Sequence, residues 1–362
     1  DQALGSVTEH GSILDIESIL HAGAKINGIH TPPIIVAAET GDAKKVMLFL
    51  RRGALVDAGV VEGTPSASSR FRLGTRALHR AVECGGHLEV ARALLNAGAN
   101  PNVTDCQGWT PLMILCAADI DVDADIVAAL LEVGADPSIS DAFALLTAAA
   151  KGRDQVVSML LSTRPDMLNT QAKPGSDGAT ALCMAAGSGK ASTVSLLLSA
   201  GARQPASTVG GTASPLRVAA KGGHCDVIRV LLDQGLEAIG GAEKIGPTLT
   251  AAVSAGRARV LHLLLGVGGD EERAVWASSR FFTDRRPLLH SAVSGGTTLA
   301  TISVILAGGA RETTRDAKGR LPRQVIGSRI EKGEIITRCM KSAIARMLER
   351  GPAFRARSWL WP

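Results

Sequence analysis

Four features of this chain place reactive or ligating residue types at suggestive spacings. The first is Asp119-Ile-Asp121-Val-Asp123-Ala-Asp125. Alternating carboxylates resemble the start of a calcium loop, which also needs glycine at its sharp turn and a distal bidentate glutamate. Ala124 and Leu130 stand at those places. The run precedes an apolar helical pattern, where acids cap free N–H groups and favour the helix dipole, so a structural role is expected. The second is Gly187-Ser-Gly189-Lys190-Ala-Ser192. A phosphate-cradling loop needs glycine five residues before its Gly-Lys pair and Ser or Thr straight after the lysine. Met184 and Ala191 occupy those positions, and a helical pattern precedes where the motif needs a strand.

The third feature is the set of histidines and cysteines. His79, His87, His224 and His290 form no H-x-x-x-H pair and no His/Cys cluster, so no metal is expected. No G-x-S-x-G turn offers a strained nucleophile. Cys84, Cys106, Cys116, Cys183, Cys225 and Cys339 contain no C-x-x-C pair and fall mostly in apolar patterns. They read as small buried hydrophobes in a reducing compartment. Asn102-Val-Thr104 spells a glycosylation sequon, but nothing else indicates secretion. The expectation is therefore no catalytic residue, no metal and no cofactor.

The fourth feature is a pair of long insertions with arginine beside phenylalanine. Residues 58–74 contain S-S-R-F-R at Ser68 to Arg72, and residues 270–286 contain S-S-R-F-F-T-D-R-R at Ser278 to Arg286. Loops carry function more readily than cores, and exposed arginine and aromatic residues are favoured binding anchors. Two readings stand side by side: paired recognition loops, and polar insertions whose phenylalanines tuck back onto the body. Ser66, Ser68 and Ser69 beside Arg70 also have the composition of a phosphorylation switch.

The elements that hold these features repeat. Ser214 to Gly235 reads S-P-L-R-V-A-A-K-G-G-H-C-D-V-I-R-V-L-L-D-Q-G: a turn and proline, a short apolar helix face, a glycine break, then a second amphipathic face closed by glycine. Gly23, Gly53, Gly98, Gly134, Gly201, Gly235, Gly268 and Gly309 close the second faces along the chain. The 67-residue gap between Gly134 and Gly201 holds two periods, with Thr163-Arg164-Pro165 in place of the middle glycine. Internal repetition of this kind decides a fold before single residues do. The pattern resembles the ankyrin repeat, T-P-L-H-x-A-A, then G-H, then V-V-x-x-L-L-x-x-G-A. The resemblance implies an all-α, curved solenoid of stacked helix-turn-helix units with finger loops, in roughly nine to ten repeats. Residues 1–310 form the array, with a degenerate first unit. Residues 311–350 form a basic capping repeat, and 351–362 a tail that matches nothing in the repeat.

Composition agrees with a thin stack: apolar residues are 46%, aromatic residues only 3%, and tyrosine is absent. The net charge of +5 is uneven, because the segment from Arg311 onward holds 13 basic and 5 acidic residues while the array before it is slightly acidic. No apolar run reaches the roughly 20 residues of a membrane span, and the start at Asp1 without methionine reads as a fragment.

The resemblance implies a non-enzymatic scaffold or adaptor, monomeric, cytoplasmic or nuclear, that binds protein partners. Matching repeat positions puts Glu39, Thr40, Glu83, Cys84, Lys151, Ser188, Lys221, Ser254 and Ser294 on the concave face. The finger candidates are Arg70, Phe71, Arg72, Cys106, Gln107, Trp109, Arg280, Phe281, Phe282 and Arg285. The alternatives are a regulatory array of a larger enzyme or channel and, on the basic and aromatic residues, an array that binds nucleic acid or phosphate.

Overall fold

The computed structural model describes residues 2–27, 31–60, 72–119, 123–172, 179–203, 214–234, 245–267, 276, 287–295 and 298–325. Regular structure among them is helical, apart from an antiparallel bridge between Gly59 and Arg76. The chain divides into two compact units, Asp1–Thr170 and Gln171–Pro362.

The first unit contains five helix pairs: α1 (Gln2–His10) with α2 (Ile13–His21), α3 (Pro33–Glu39) with α4 (Ala43–Arg51), α5 (Ala77–Glu83) with α6 (Leu88–Asn96), α7 (Pro111–Ala117) with α8 (Ala124–Glu132), and α9 (Ile139–Lys151) with α10 (Asp154–Thr163). The first helices pack in series from α1 to α9, and the second helices from α4 to α10. The second unit continues the plan with α11 (Ala181–Gly187) and α12 (Ala191–Ser199), α13 (Pro215–Gly222) and α14 (Cys225–Asp233), α15 (Ile245–Ser254) and α16 (Ala258–Val267), and α17 (Leu288–Gly295) and α18 (Leu299–Ala307).

Side-chain size explains the stacking. First helices pair a buried leucine (Leu78, Leu145, Leu216) with alanines that are fully buried (Ala81, Ala148, Ala149, Ala219, Ala220), so their backbones approach closely. Second helices bury a single stripe, such as Val90 and Leu94 or Val227 and Leu231, against the neighbouring pairs. No pair encloses a core alone; the stack does. Helix starts are set by Thr110 and Thr180, whose hydroxyls accept the N–H groups of Met113 and Cys183. Gly98, at φ 87°, supplies the left-handed end of α6.

Side-chain amides clip the outer turns of neighbouring pairs together. Asn27 accepts the N–H of Leu55 at 2.8 Å and donates to the Gly53 carbonyl at 3.2 Å. Asn102 does the same to Asp136 N–H at 2.7 Å and the Gly134 carbonyl at 2.9 Å. The sequon asparagine is thus occupied in the fold. Asp57 accepts Asn100 N–H at 3.1 Å in the same register, but as a carboxylate it has nothing to donate.

Two departures mark the last pair of the first unit. Counting back from Leu145, its turn is three residues shorter than the one before Leu112. The backbone makes up the distance with three consecutive left-handed residues, Ser140, Asp141 and Ala142, at φ 55° to 60°. Each costs about 1–2 kcal/mol in a residue with a Cβ. At the other end, α10 closes without glycine. A 3-10 turn, Pro165–Asn169, takes over, and Arg164 ties it down with bonds to Asp166 at 3.0 Å and Asp136 at 3.5 Å.

Candidate interaction surface

The best-described finger is built on the turn Asp105-Cys-Gln-Gly108-Trp109. The buried Asp105 carboxylate accepts the N–H groups of Gln107 at 2.8 Å and Trp109 at 2.9 Å, and Asp105 N–H donates to the Trp109 carbonyl at 3.1 Å. His79 of the preceding pair holds this turn from below. Its Nδ1 accepts Arg76 N–H at 3.1 Å, which leaves the proton on Nε2 to be shared by the Val103 and Trp109 carbonyls, each at 3.2 Å. Burial pushes the His79 imidazole below its ordinary value, so the neutral form is the one the fold uses. The second unit repeats the device: Asp316 accepts the N–H groups of Lys318 and Arg320, each at 2.9 Å, and His290 bonds the Arg320 carbonyl at 2.9 Å.

The first insertion is pinned at its base. Val60 N–H donates to Thr75 O and Gly74 N–H to Val60 O, each at 3.0 Å, and Cys106 N–H donates to Leu73 O at 3.0 Å. Arg72 then lies with its guanidinium 6.0 Å from the Trp109 ring centre and 3.7 Å from Asp105. Trp109 in turn meets Phe143 at 5.3 Å between ring centres, tilted by 54°. Of the finger candidates, Arg72, Cys106, Gln107 and Trp109 therefore gather on one surface: the first three are exposed and Trp109 half-buried. Arg70, Phe71, Arg280, Phe281, Phe282 and Arg285 lie outside the described residues.

The inner-face candidates all fall at the last turn of a first helix or just after it. Glu39 and Glu83 are drawn inward by Arg80, whose guanidinium bonds both at 2.6 Å and is itself buried. Lys151 pairs with Asp119, holding that carboxyl below the usual carboxylate range. Thr40, Ser254 and Ser294 bond back to the carbonyls of Ala37, Ala251 and Ser291. Cys84 is half-buried, while Ser188 and Lys221 are exposed.

Three arginines that sequence reading passed over organise this surface. Arg80 closes the inner ion pair; Arg76 reaches the carbonyls of Asp57, Gly74 and Thr104. Arg153 caps the end of α7 through the carbonyls of Leu115, Cys116 and Ala118 at 2.5 to 2.8 Å. His224 contacts Gly187 O at 2.9 Å from the matching place, and Arg257 contacts Lys221 O at 3.1 Å. A Cβ on Gly189 would stand 2.5 Å from the His224 ring, so that close approach requires glycine. The histidines carry the G-H signature; the arginines do the same work by position alone.

The acidic run caps a helix. Asp123 accepts Asp125 N–H at 2.9 Å and caps α8. Among the described residues no group of three or more His, Cys, Asp and Glu converges as a metal site. Burial pushes the Cys116 thiol up to about 12, with Arg153 opposing, and raises Cys183 also. Cys106 departs from the buried expectation because it sits on the finger turn rather than in a helix. No described helix is long and apolar enough to cross a membrane.

Paired short helices, closing glycines, Asp-x-x-Gly turns and histidine props define a stack of ankyrin-type repeats. The family profile described as Ankyrin repeats (3 copies) matches residues 7–105, 34–141, 78–171 and 145–244. The chain belongs to the ankyrin repeat family.

Proposed function

We propose that this chain is a non-catalytic scaffold that binds protein partners through its finger turns and the ends of its first helices. Ankyrin repeats generally mediate protein–protein interaction. The observation that carries the reading here is the surface of Arg72, Cys106, Gln107 and Trp109. Three of its residues are exposed and Trp109 is half-buried, and Asp105 and His79 hold the turn's backbone from within. An arginine and an aromatic ring held on a fixed turn cost little ordering entropy on binding, which is what an anchor needs.

Cys106 offers its own test, because it is exposed while Cys116 and Cys183 are buried. A photo-cross-linker attached at Cys106 should capture a protein partner, and Arg72→Ala with Trp109→Ala should lower the yield at least about tenfold, as expected for loss of anchors. Capture only from a linker moved to Arg51, on the outside of α4, would overturn the assignment.

A further inference from the structure

The two units differ in what they do with charge. Asp1–Thr170 holds 13 basic and 20 acidic residues, and Gln171–Pro362 holds 26 and 14. Several cations of the first unit are paired within it: Arg52 with Glu17, Arg80 with Glu39 and Glu83, Lys151 with Asp119, Arg164 with Asp166. In the second unit Lys190, Lys221, Arg257 and Arg259 make no ion pair among the described residues, and all four lie along one edge of three consecutive helix pairs. Lys190 precedes α12, Lys221 lies in the last turn of α13, Arg257 precedes α16 and Arg259 stands in its first turn. The edge is continuous, because His224 touches Gly187 O and Arg257 touches Lys221 O across the two junctions. Its described carboxylate, Asp226 in the first turn of α14, is already held by Arg229 at 2.9 Å.

We infer that this edge binds an extended acidic segment of a partner protein, with one carboxylate for each repeat. The inference rests on the protein-binding reading above and names the chemistry of one partner surface. Packed helices stand about 8–10 Å apart. An extended polyproline-type chain returns to the same side every third residue, after about 9 Å. Acidic residues at every third position therefore meet successive cations in register. Single-stranded nucleic acid is the weaker fit, because residues 179–267 contain no Phe, Trp or Tyr on which bases would stack. An anionic membrane is weaker too, because the same stretch lacks the aromatic residues that seat a protein at a lipid interface.

The test uses the full chain and fluorescence anisotropy. Its probes are a labelled peptide with Glu at every third position among Pro and Ala, the same composition with Glu contiguous, an oligothymidylate, and vesicles containing phosphatidylserine. The spaced peptide should bind tightest. Lys190→Gln, Lys221→Gln and Arg259→Gln together should weaken it on the order of tenfold, while Arg51→Gln with Arg92→Gln should change it by less than about twofold. Circular dichroism with an unchanged melting midpoint certifies the variants as folded. Equal affinity for the two peptides, or equal loss in both variants, overturns the inference. Tighter binding of oligothymidylate or vesicles, with the same sensitivity to the triple variant, overturns the occupant. Each of these failures with Cys106 cross-linking intact leaves the broader protein-binding reading standing.

Discussion

At the scale of single residues, most polar groups that invite a chemical reading are holding turns. Asp57 shows what happens when the residue type is slightly wrong for that work. Its Oδ2 accepts Asn100 N–H, but its buried Oδ1 has no partner among the described residues, where Asn27 and Asn102 each present a donor to a glycine carbonyl. Asp57→Asn restores the donor and should stabilise the chain by about 1 kcal/mol, read as a rise in the urea midpoint. A fall in the midpoint would remove the amide clip as an explanation. His79 makes a pH prediction. Its folded-state value lies below the ordinary 6.5, so its contribution is complete above that pH and is lost as pH falls through the lower folded value. Urea midpoints should decline between pH 7.5 and 5 in the natural chain. They should decline less steeply in His79→Gln, which starts about 1–3 kcal/mol less stable because the turn loses bonds.

At the scale of elements, the sequence makes the helix pairs readable and hides the joints between them. Leucine and alanine periodicity and the closing glycines reveal the pairs, because helix packing acts on residue type. Arg153 and Arg257 are invisible by the same standard. Nothing local distinguishes them from solvated arginines, and only the neighbouring repeat supplies the carbonyls they reach. The turn before α9 is hidden for a different reason. Ser-Asp-Ala carries no signal for left-handed backbone, and a three-residue deficit forces it there. Ser140 is exposed and sits at φ 56°, so Ser140→Gly should relieve about 1 kcal/mol of strain and raise the melting temperature by a few degrees. Arg153→Ala should cost about 2–3 kcal/mol, because its charged bonds to three carbonyls at the end of α7 disappear. Arg153→His should recover part of that loss, as His224 fills the matching place. Equal destabilisation by Ala and His would show that the arginine acts through packing of its stem and not through those bonds.

At the scale of the molecule, helix pairs of the first unit with one described neighbour and those with two should fail differently. The pair α7 and α8 is flanked by α5 and α6 on one side and α9 and α10 on the other. Leu112, in the first turn of α7, is 1% exposed. Leu4 is equally buried, but α1 packs on α3 from one side only and is held by Lys45, whose ammonium donates to Thr8 O at 2.9 Å. Each leucine-to-alanine change removes about 2–5 kcal/mol of packing. In a pair with one described neighbour that loss is met by local fraying, while in a pair between two neighbours it breaks two interfaces at once. Hydrogen exchange on the full chain separates the cases. Leu4→Ala should speed exchange in α1 and α2 and leave α5 to α8 near their natural protection, whereas Leu112→Ala should lower protection from α5 through α10 together. If Leu4→Ala loosened α7 and α8 as much as Leu112→Ala does, the first unit would be one indivisible core, and the repeat would describe its history rather than its energetics.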